Sequence, residues 1–174
     1  MRRNDLRLPT TSRAEQHANK GVWNDGRFVD RADFFTVGYS GQTLGELIES
    51  LKRARVASLV DIRHNPVSMY RPEVSKGNLQ RALAAHGIGY QHVRDLGVPR
   101  GVRGLAVGES SREVIWNWYD ANVVPRYAGR NLHWFFNALE HPVALMCTEF
   151  DPGECHRHRL AAALETHGLM GYEL

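Results

Sequence analysis

From Phe34 onward, short unbroken apolar runs alternate with apolar residues spaced three and four apart. "FFTVGYS" (34–40) and "VASLVDI" (56–62) read as buried strands, each a short apolar run closed by turn or polar residues. Between them, "TLGELIESLKRARV" sets Leu44, Leu47, Ile48 and Leu51 on one helical face. Thr43 is the expected N-cap, with Glu46 three residues later as its reciprocal partner. "RHNPVSMYRP" is kept out of helix by two prolines and an asparagine. "KGNLQRALAAHG" predicts a helix ended by Gly87, "IGYQHV" a third strand and "PVALMC" a fourth. "DLGVPRGVRGLAVGES" reads as a glycine- and arginine-rich loop, followed by two helical segments over about residues 113–140. "GECHRHRLAAALETHG" predicts a helix closed by Gly168, and "LMGYEL" a final edge strand.

Strands that alternate with helices predict an α/β, Rossmann-like three-layer fold with a mainly parallel sheet of four to five strands. Residues 33–174 form this single domain, and residues 1–32 read as a basic polar arm, partly mobile, with folding confined to "VWNDGRFV". Right-handed crossovers bring every strand-to-helix loop to one sheet edge, where open α/β sheets bind ligands. The loops in question are Gly38 to Gly41, Asp61 to Arg63, Asp95 to Gly97, and Cys147 to Arg157. The expectation is one shared polar cleft.

Composition narrows this only a little. The hydrophobic share of 43% and charged share of 24% are ordinary for a soluble globular chain. No apolar run approaches the roughly 18 residues of a membrane helix, and the charged N-terminal stretch lacks the apolar segment of a secretory signal. Two cysteines do not make a disulfide framework, so a cytoplasmic location is expected. Net charge is +3, carried mainly by arginine, since Lys20, Lys52 and Lys76 are the only lysines. Arginine forks suit phosphate, although a GC-rich genome gives the same bias.

Candidate chemistry gathers at the strand ends. "VGYSGQT" resembles a phosphate-binding turn, but it lacks the G-x-G-x-x-G spacing and a Walker lysine. Ser40 is therefore either an anion ligand or a residue that satisfies helix N–H groups. Asp61 and Arg63 point to the same side if the strand stays extended, as a functional or a structural ion pair. "LMCTEFDPGECHRHRL" (145–160) holds both cysteines. Metal binding by Cys147, Glu149, Cys155 and His156 or His158 is chemically reasonable, yet C-x7-C-H lacks the usual close cysteine pair, so no metal is assigned. Cys155 near a helix start, beside Arg157, would have a lowered thiol pKa. A tyrosine-phosphatase loop is excluded, because the sixth residue after Cys147 is Gly153 and after Cys155 is Ala161. The remaining reading is an anion cradle built on Arg157, with Glu149 as acid–base group. Trp116, Trp118 and Tyr119 read as core at helical spacing, with base stacking as the alternative, and Arg100 and Arg103 as a solvated or polyanion-facing pair.

The sequence resembles the family called domain of unknown function 488 over about four-fifths of its length. The matching pieces are "TVGYS", "VDIRHNPVS", "LQRALAAHGIGYQHVRDLG" and "VALMCTEFDPGECHRHRLA". The family often has histidine where Tyr39 stands, and a second glycine where Val98 follows Gly97. The resemblance implies a Rossmann-like domain with a shared polar cleft and supplies no reaction.

The resulting expectation is an enzyme, a hydrolase or transferase, acting on a phosphate-bearing ligand such as a nucleotide or nucleic acid. Asp61, Glu149, Cys155 and His156 are the candidate catalytic groups, and Tyr39, Ser40, Arg63 and Arg157 the candidate ligand-binding groups. No cofactor or membrane partner is implied, and the sequence carries no sign of oligomeric state. The rivals are a non-catalytic nucleic-acid-binding module and a metal- or thiol-dependent enzyme.

Overall fold

The computed structural model describes residues 22–24, 27–29, 32–109, 111–127 and 137–174. The arm expected over residues 1–32 lies largely outside these. Within it, Val22–Asn24 (β1) and Arg27–Val29 (β2), both inside "VWNDGRFV", pair antiparallel, Val22 opposite Val29.

Phe34–Gly38 (β3), Ser58–Asp61 (β4), Gly89–His92 (β5), Val143–Cys147 (β6) and Gly171–Glu173 (β7) make one five-stranded sheet. Its order is β5-β4-β6-β3-β7 and every pairing is parallel, which gives the α/β layered fold. The helices are Leu44–Arg53 (α1), Lys76–Ala84 (α2), Arg100–Glu109 (α3), Glu113–Asn122 (α4), Val124–Tyr127 (α5) and Arg157–Thr166 (α6). β3, β4 and β6 are buried throughout because helices cover both sheet faces.

Strand alternation divides the core in two. Phe35, Val37, Leu59, Ala144 and Met146 face one way, onto Leu47, Ile48 and Leu51 of α1 and Leu79 and Leu83 of α2. Phe34, Val60, Val143, Leu145 and Cys147 face the other, onto Tyr119 of α4 and Leu160 and Leu164 of α6. Edge strands β5 and β7 are only partly covered.

The expected cap on α1 is present in full. The Glu46 N–H donates to Thr43 Oγ1 at 3.2 Å, and the Thr43 N–H donates to Glu46 Oε2 at 2.7 Å. Thr43→Ala is expected to cost about 1 kcal/mol, read as a lower urea midpoint at unchanged slope. Gly87 and Gly168 follow α2 and α6 with φ of 72° and 85°, the left-handed geometry that glycine takes without steric cost.

Two expectations need correction. Arg100–Glu109 is a helix, not a loop: Ala106 is buried, Val102 is partly so, and packing against α4 outweighs the helix cost of three glycines. The last helix starts at Arg157 rather than near Gly153, because Pro152–Glu154 forms a 3-10 turn held by the Gly153 N–H donating to Asp151 Oδ1. The segment expected to be helical as far as residue 140 includes residues 128–136, which lie outside the described set.

Candidate functional site

The strand-end residues do assemble, but into two clusters on opposite faces of the sheet. Asp61 pairs in register with Met146, whose side chain faces α1 and α2, whereas Cys147, one residue on, faces α6.

The first cluster centres on Asp61, which is fully buried. Arg63 Nε donates to its Oδ1 at 2.8 Å and Nη2 to its Oδ2 at 2.5 Å, and the Arg63 main-chain N–H donates to Oδ1 at 3.1 Å. Tyr90 Oη donates to Oδ2 at 2.7 Å, and Arg63 Nη2 also reaches the Val74 carbonyl at 2.8 Å. Tyr39 lies beneath this pair, its ring centroid 5.1 Å from the Arg63 guanidinium carbon and 5.6 Å from that of Arg71. Burial pushes the Tyr90 hydroxyl up, and the Asp61 charge pushes it further, so Tyr90 remains a neutral donor. The cluster is closed: Asp61 and Arg63 use their polar atoms on each other and on neighbouring main chain.

The second cluster is built where β6 ends and α6 begins. Cys147 and Cys155 are free, buried thiols, and the His156 ring lies between them and β4. His156 Nδ1 is 3.7 Å from Cys147 Sγ and 4.0 Å from Cys155 Sγ. His156 Nε2 is 3.4 Å from the Ile62 carbonyl and 3.9 Å from Cys147 Sγ, so both ring nitrogens lie close to that sulfur. The Cys147 thiol donates to Glu149 Oε2 at 3.4 Å, and the Arg157 N–H donates to Cys155 Sγ at 3.5 Å.

These surroundings separate the two thiols. Burial pushes Cys147 up, and the neighbouring Cys155 sulfur adds to it. Burial also opposes ionisation of Cys155, but hydrogen bonds from Cys147 and His156, with the His156 charge and the Arg157 N–H, hold it well below the usual thiol range. Glu149 is pushed up, by burial first and then by Cys155. Among the described residues no lysine, arginine or histidine makes an ion pair with Glu149.

Arg157, expected to face a ligand, is fully buried and turned inward. Its guanidinium donates to the carbonyls of Glu149 and Phe150 and to Glu173 Oε1, tying the loop after β6 to β7. Ser40 is exposed, and its N–H donates to the Thr148 carbonyl at 2.9 Å. His158 stacks edge-on against Trp116, and Arg159 is ion-paired with Asp120.

A cavity of ≈ 360 Å³ opens over the second cluster. Glu149, His156 and Glu154 line one side, and Arg103, Ser111, Arg112 and Trp116, from α3, α4 and their junction, line the other. Arg112 pairs with Glu154 at 3.3 Å, and Arg103 Nε donates to the Val98 carbonyl at 3.3 Å. Sequence reasoning named Arg103 and Trp116 only as alternatives and did not bring them to one wall, because it read α3 as loop. The one available signal was Arg103 one turn before Ala106 and Val107, a helical spacing hidden among glycines. Tyr119, by contrast, is core, its hydroxyl donating to the Leu96 carbonyl at 2.8 Å.

Fold and site together define an α/β protein with a parallel sheet and, beyond the carboxyl end of a central strand, a cavity whose lining mixes charged groups with Val98, Ala106, Val107 and Ile115. The family described as Domain of unknown function DUF488 matches residues 43–164, and the chain belongs to it. The "TVGYS" piece lies before that span, and the "VDIRHNPVS" piece within it. Comparison with curated proteins and with solved structures returned no match. Among the described residues, no helix is long and apolar enough to cross a membrane.

Proposed function

We propose that the protein is an enzyme, a hydrolase or transferase, that acts on a nucleotide-sized, phosphate-bearing molecule in the cavity over Glu149 and His156. The observation that carries this reading is the cavity wall itself: two carboxylates, an imidazole, two guanidinium groups and an indole share one space of ≈ 360 Å³. That volume is typical of small-molecule sites. Arg103 and Arg112 bind the phosphate oxygens, with Arg112 exchanging Glu154 for the ligand. Trp116 offers a stacking face for a base. Glu149, half-buried and with no cationic partner among the described residues, is the acid–base group, oriented by the neighbouring Cys147 thiol.

Asp61, Arg63, Tyr39 and Arg157 contribute as positioning residues in this reading, because their polar groups hold main chain and one another. The expected cytoplasmic location fits the two free thiols. A nucleic-acid module without catalysis is disfavoured by the size of the cavity, which accommodates one nucleotide rather than a strand.

A panel of nucleoside mono-, di- and triphosphates and inorganic pyrophosphate, screened by thermal shift and confirmed by calorimetry, tests the proposal. At least one member is expected to bind, with affinity reduced about tenfold or more in each of Arg103→Ala and Arg112→Ala. Glu149→Gln is expected to keep binding while turnover of that ligand falls about 10²- to 10⁴-fold. Absence of binding across the panel by folded protein would rule the reading out.

A further inference from the structure

We infer that Cys147, Cys155 and His156 form a binding site for a tetrahedral transition-metal ion of the zinc class, with Glu149 as a fourth, exchangeable donor at the cavity wall. The spacing C-x7-C-H lacks the usual close cysteine pair, but the 3-10 turn at Pro152–Glu154 folds the intervening residues back on themselves. Folded, the three donor atoms lie within 4.8 Å of one another.

The distances suit a metal better than they suit direct bonding. A tetrahedral ion with metal–sulfur bonds of about 2.3 Å and metal–nitrogen or metal–oxygen bonds of about 2.0–2.1 Å separates its donors by roughly 3.5–3.8 Å. Cys147 Sγ to His156 Nδ1 is 3.7 Å, Cys155 Sγ to the same nitrogen 4.0 Å, and Cys147 Sγ to Glu149 Oε2 3.4 Å. Each lies within a few tenths of an ångström of a tetrahedral edge.

The surroundings are those of a supported ligand set. A metal-bound histidine needs its second nitrogen held, and the Ile62 carbonyl, 3.4 Å from His156 Nε2, is placed to hold it when Nδ1 takes the ion, although Nε2 also lies 3.9 Å from Cys147 Sγ. Bound thiolates accept N–H bonds, and the Arg157 main-chain N–H meets Cys155 Sγ at 3.5 Å. The Arg157 guanidinium is engaged by two carbonyls and Glu173 and also acts on Cys155. Two thiols and a carboxylate thus crowd around one imidazole, a donor set that one divalent cation would draw together. Two soft sulfurs with one imidazole select zinc over magnesium or calcium.

The donors also differ in place. Cys147 and Cys155 are buried at the inner side, whereas Glu149 and His156 also line the cavity. The ion therefore has one face toward the proposed substrate, and only this orientation rests on the enzymatic reading given above. Binding releases the Cys147 thiol proton, and any proton still on Cys155, to solvent and involves no oxidation or reduction.

Protein made in zinc-supplemented medium and purified under reductant without chelator is expected to carry about one zinc per chain by elemental analysis. After chelation and reloading with cobalt(II), thiolate-to-cobalt charge transfer in the near ultraviolet and intense visible d–d bands are expected. Cys147→Ser, Cys155→Ser and His156→Gln should each weaken cobalt binding about 100-fold or more. Glu149→Gln should retain the ion with altered d–d bands. Folded wild-type protein that takes up neither ion, or that forms a Cys147–Cys155 disulfide while zinc is present, overturns the site. Metal content is read without substrate, so a loaded protein that binds no nucleotide refutes the proposed reaction alone, and a metal-free protein that turns over nucleotides refutes the metal alone.

Discussion

Asp61→Ala is expected to lower the unfolding free energy by about 3–5 kcal/mol, because it strands a buried guanidinium. The Asp61 carboxylate is wholly buried and accepts four hydrogen bonds, three from Arg63 and one from Tyr90. Removing it leaves Arg63 charged in a site that water does not reach. The cost is the unpaired charge and not the worth of the pair, so the double variant Asp61→Ala with Arg63→Met should recover most of the loss. Urea denaturation of the three proteins separates these terms. A single variant within about 1 kcal/mol of wild type would mean that Arg63 finds another partner. The same series tests the sequence expectation that Asp61 is catalytic: Asp61→Asn, which keeps the shape, should leave turnover within a few-fold once folded protein is compared. A large loss of turnover at preserved stability would return Asp61 to the reaction.

The placement of Asp61 and Glu149 in separate clusters was half legible in the sequence. Both stand at strand ends, and topology alone brings strand ends to one edge. Which face each one takes depends on register between β4 and β6, and register was invisible. Asp61 lies opposite Met146, so Asp61 and Cys147 differ by one residue of pleat and point to opposite faces. That one step separates a closed ion pair from an open cavity. The strands themselves were plain, because buried parallel strands are unbroken apolar runs, and so was α1, whose cap is written in Thr43 and Glu46. α3 was hidden for the opposite reason: Gly101, Gly104 and Gly108 signal loop locally, and only packing against α4 makes the segment helical. With α3 misread, Arg103 had no cavity to face. The cysteine–histidine grouping was noticed but could not be assembled, since spacing carries no information about a turn that doubles back at Pro152.

Gly38→Ala is expected to destabilise by about 3 kcal/mol or more, and to disable the site even in the fraction that folds. A Cβ on Gly38 would stand 1.7 Å from the Glu149 carbonyl oxygen, 2.6 Å from its carbonyl carbon and 2.9 Å from Arg157 Nη1. The first two atoms are main chain, held in place as β3 and β6 continue side by side. Tyr39 N–H donates to the Cys147 carbonyl at 3.3 Å and Ser40 N–H to the Thr148 carbonyl at 2.9 Å. Nothing flexible can move aside, so the loop after β6 must lift away, taking Glu149 off the cavity wall and breaking the bonds from Arg157 that anchor it. The defect is one of space, since Gly38 has no left-handed φ that would favour glycine. Gly104→Ala in α3 is the matched control: an added Cβ there meets nothing within 4 Å, and the change should stabilise by about 0.5–1 kcal/mol through helix propensity. Denaturation midpoints for the two variants should therefore move in opposite directions. Because the Glu149 carbonyl and its carboxylate belong to one residue, Gly38→Ala should also change the cobalt(II) spectrum where Gly104→Ala does not. A Gly38→Ala protein as stable as wild type, with an unchanged spectrum, would mean that β3 and β6 do not approach this closely where they leave the sheet.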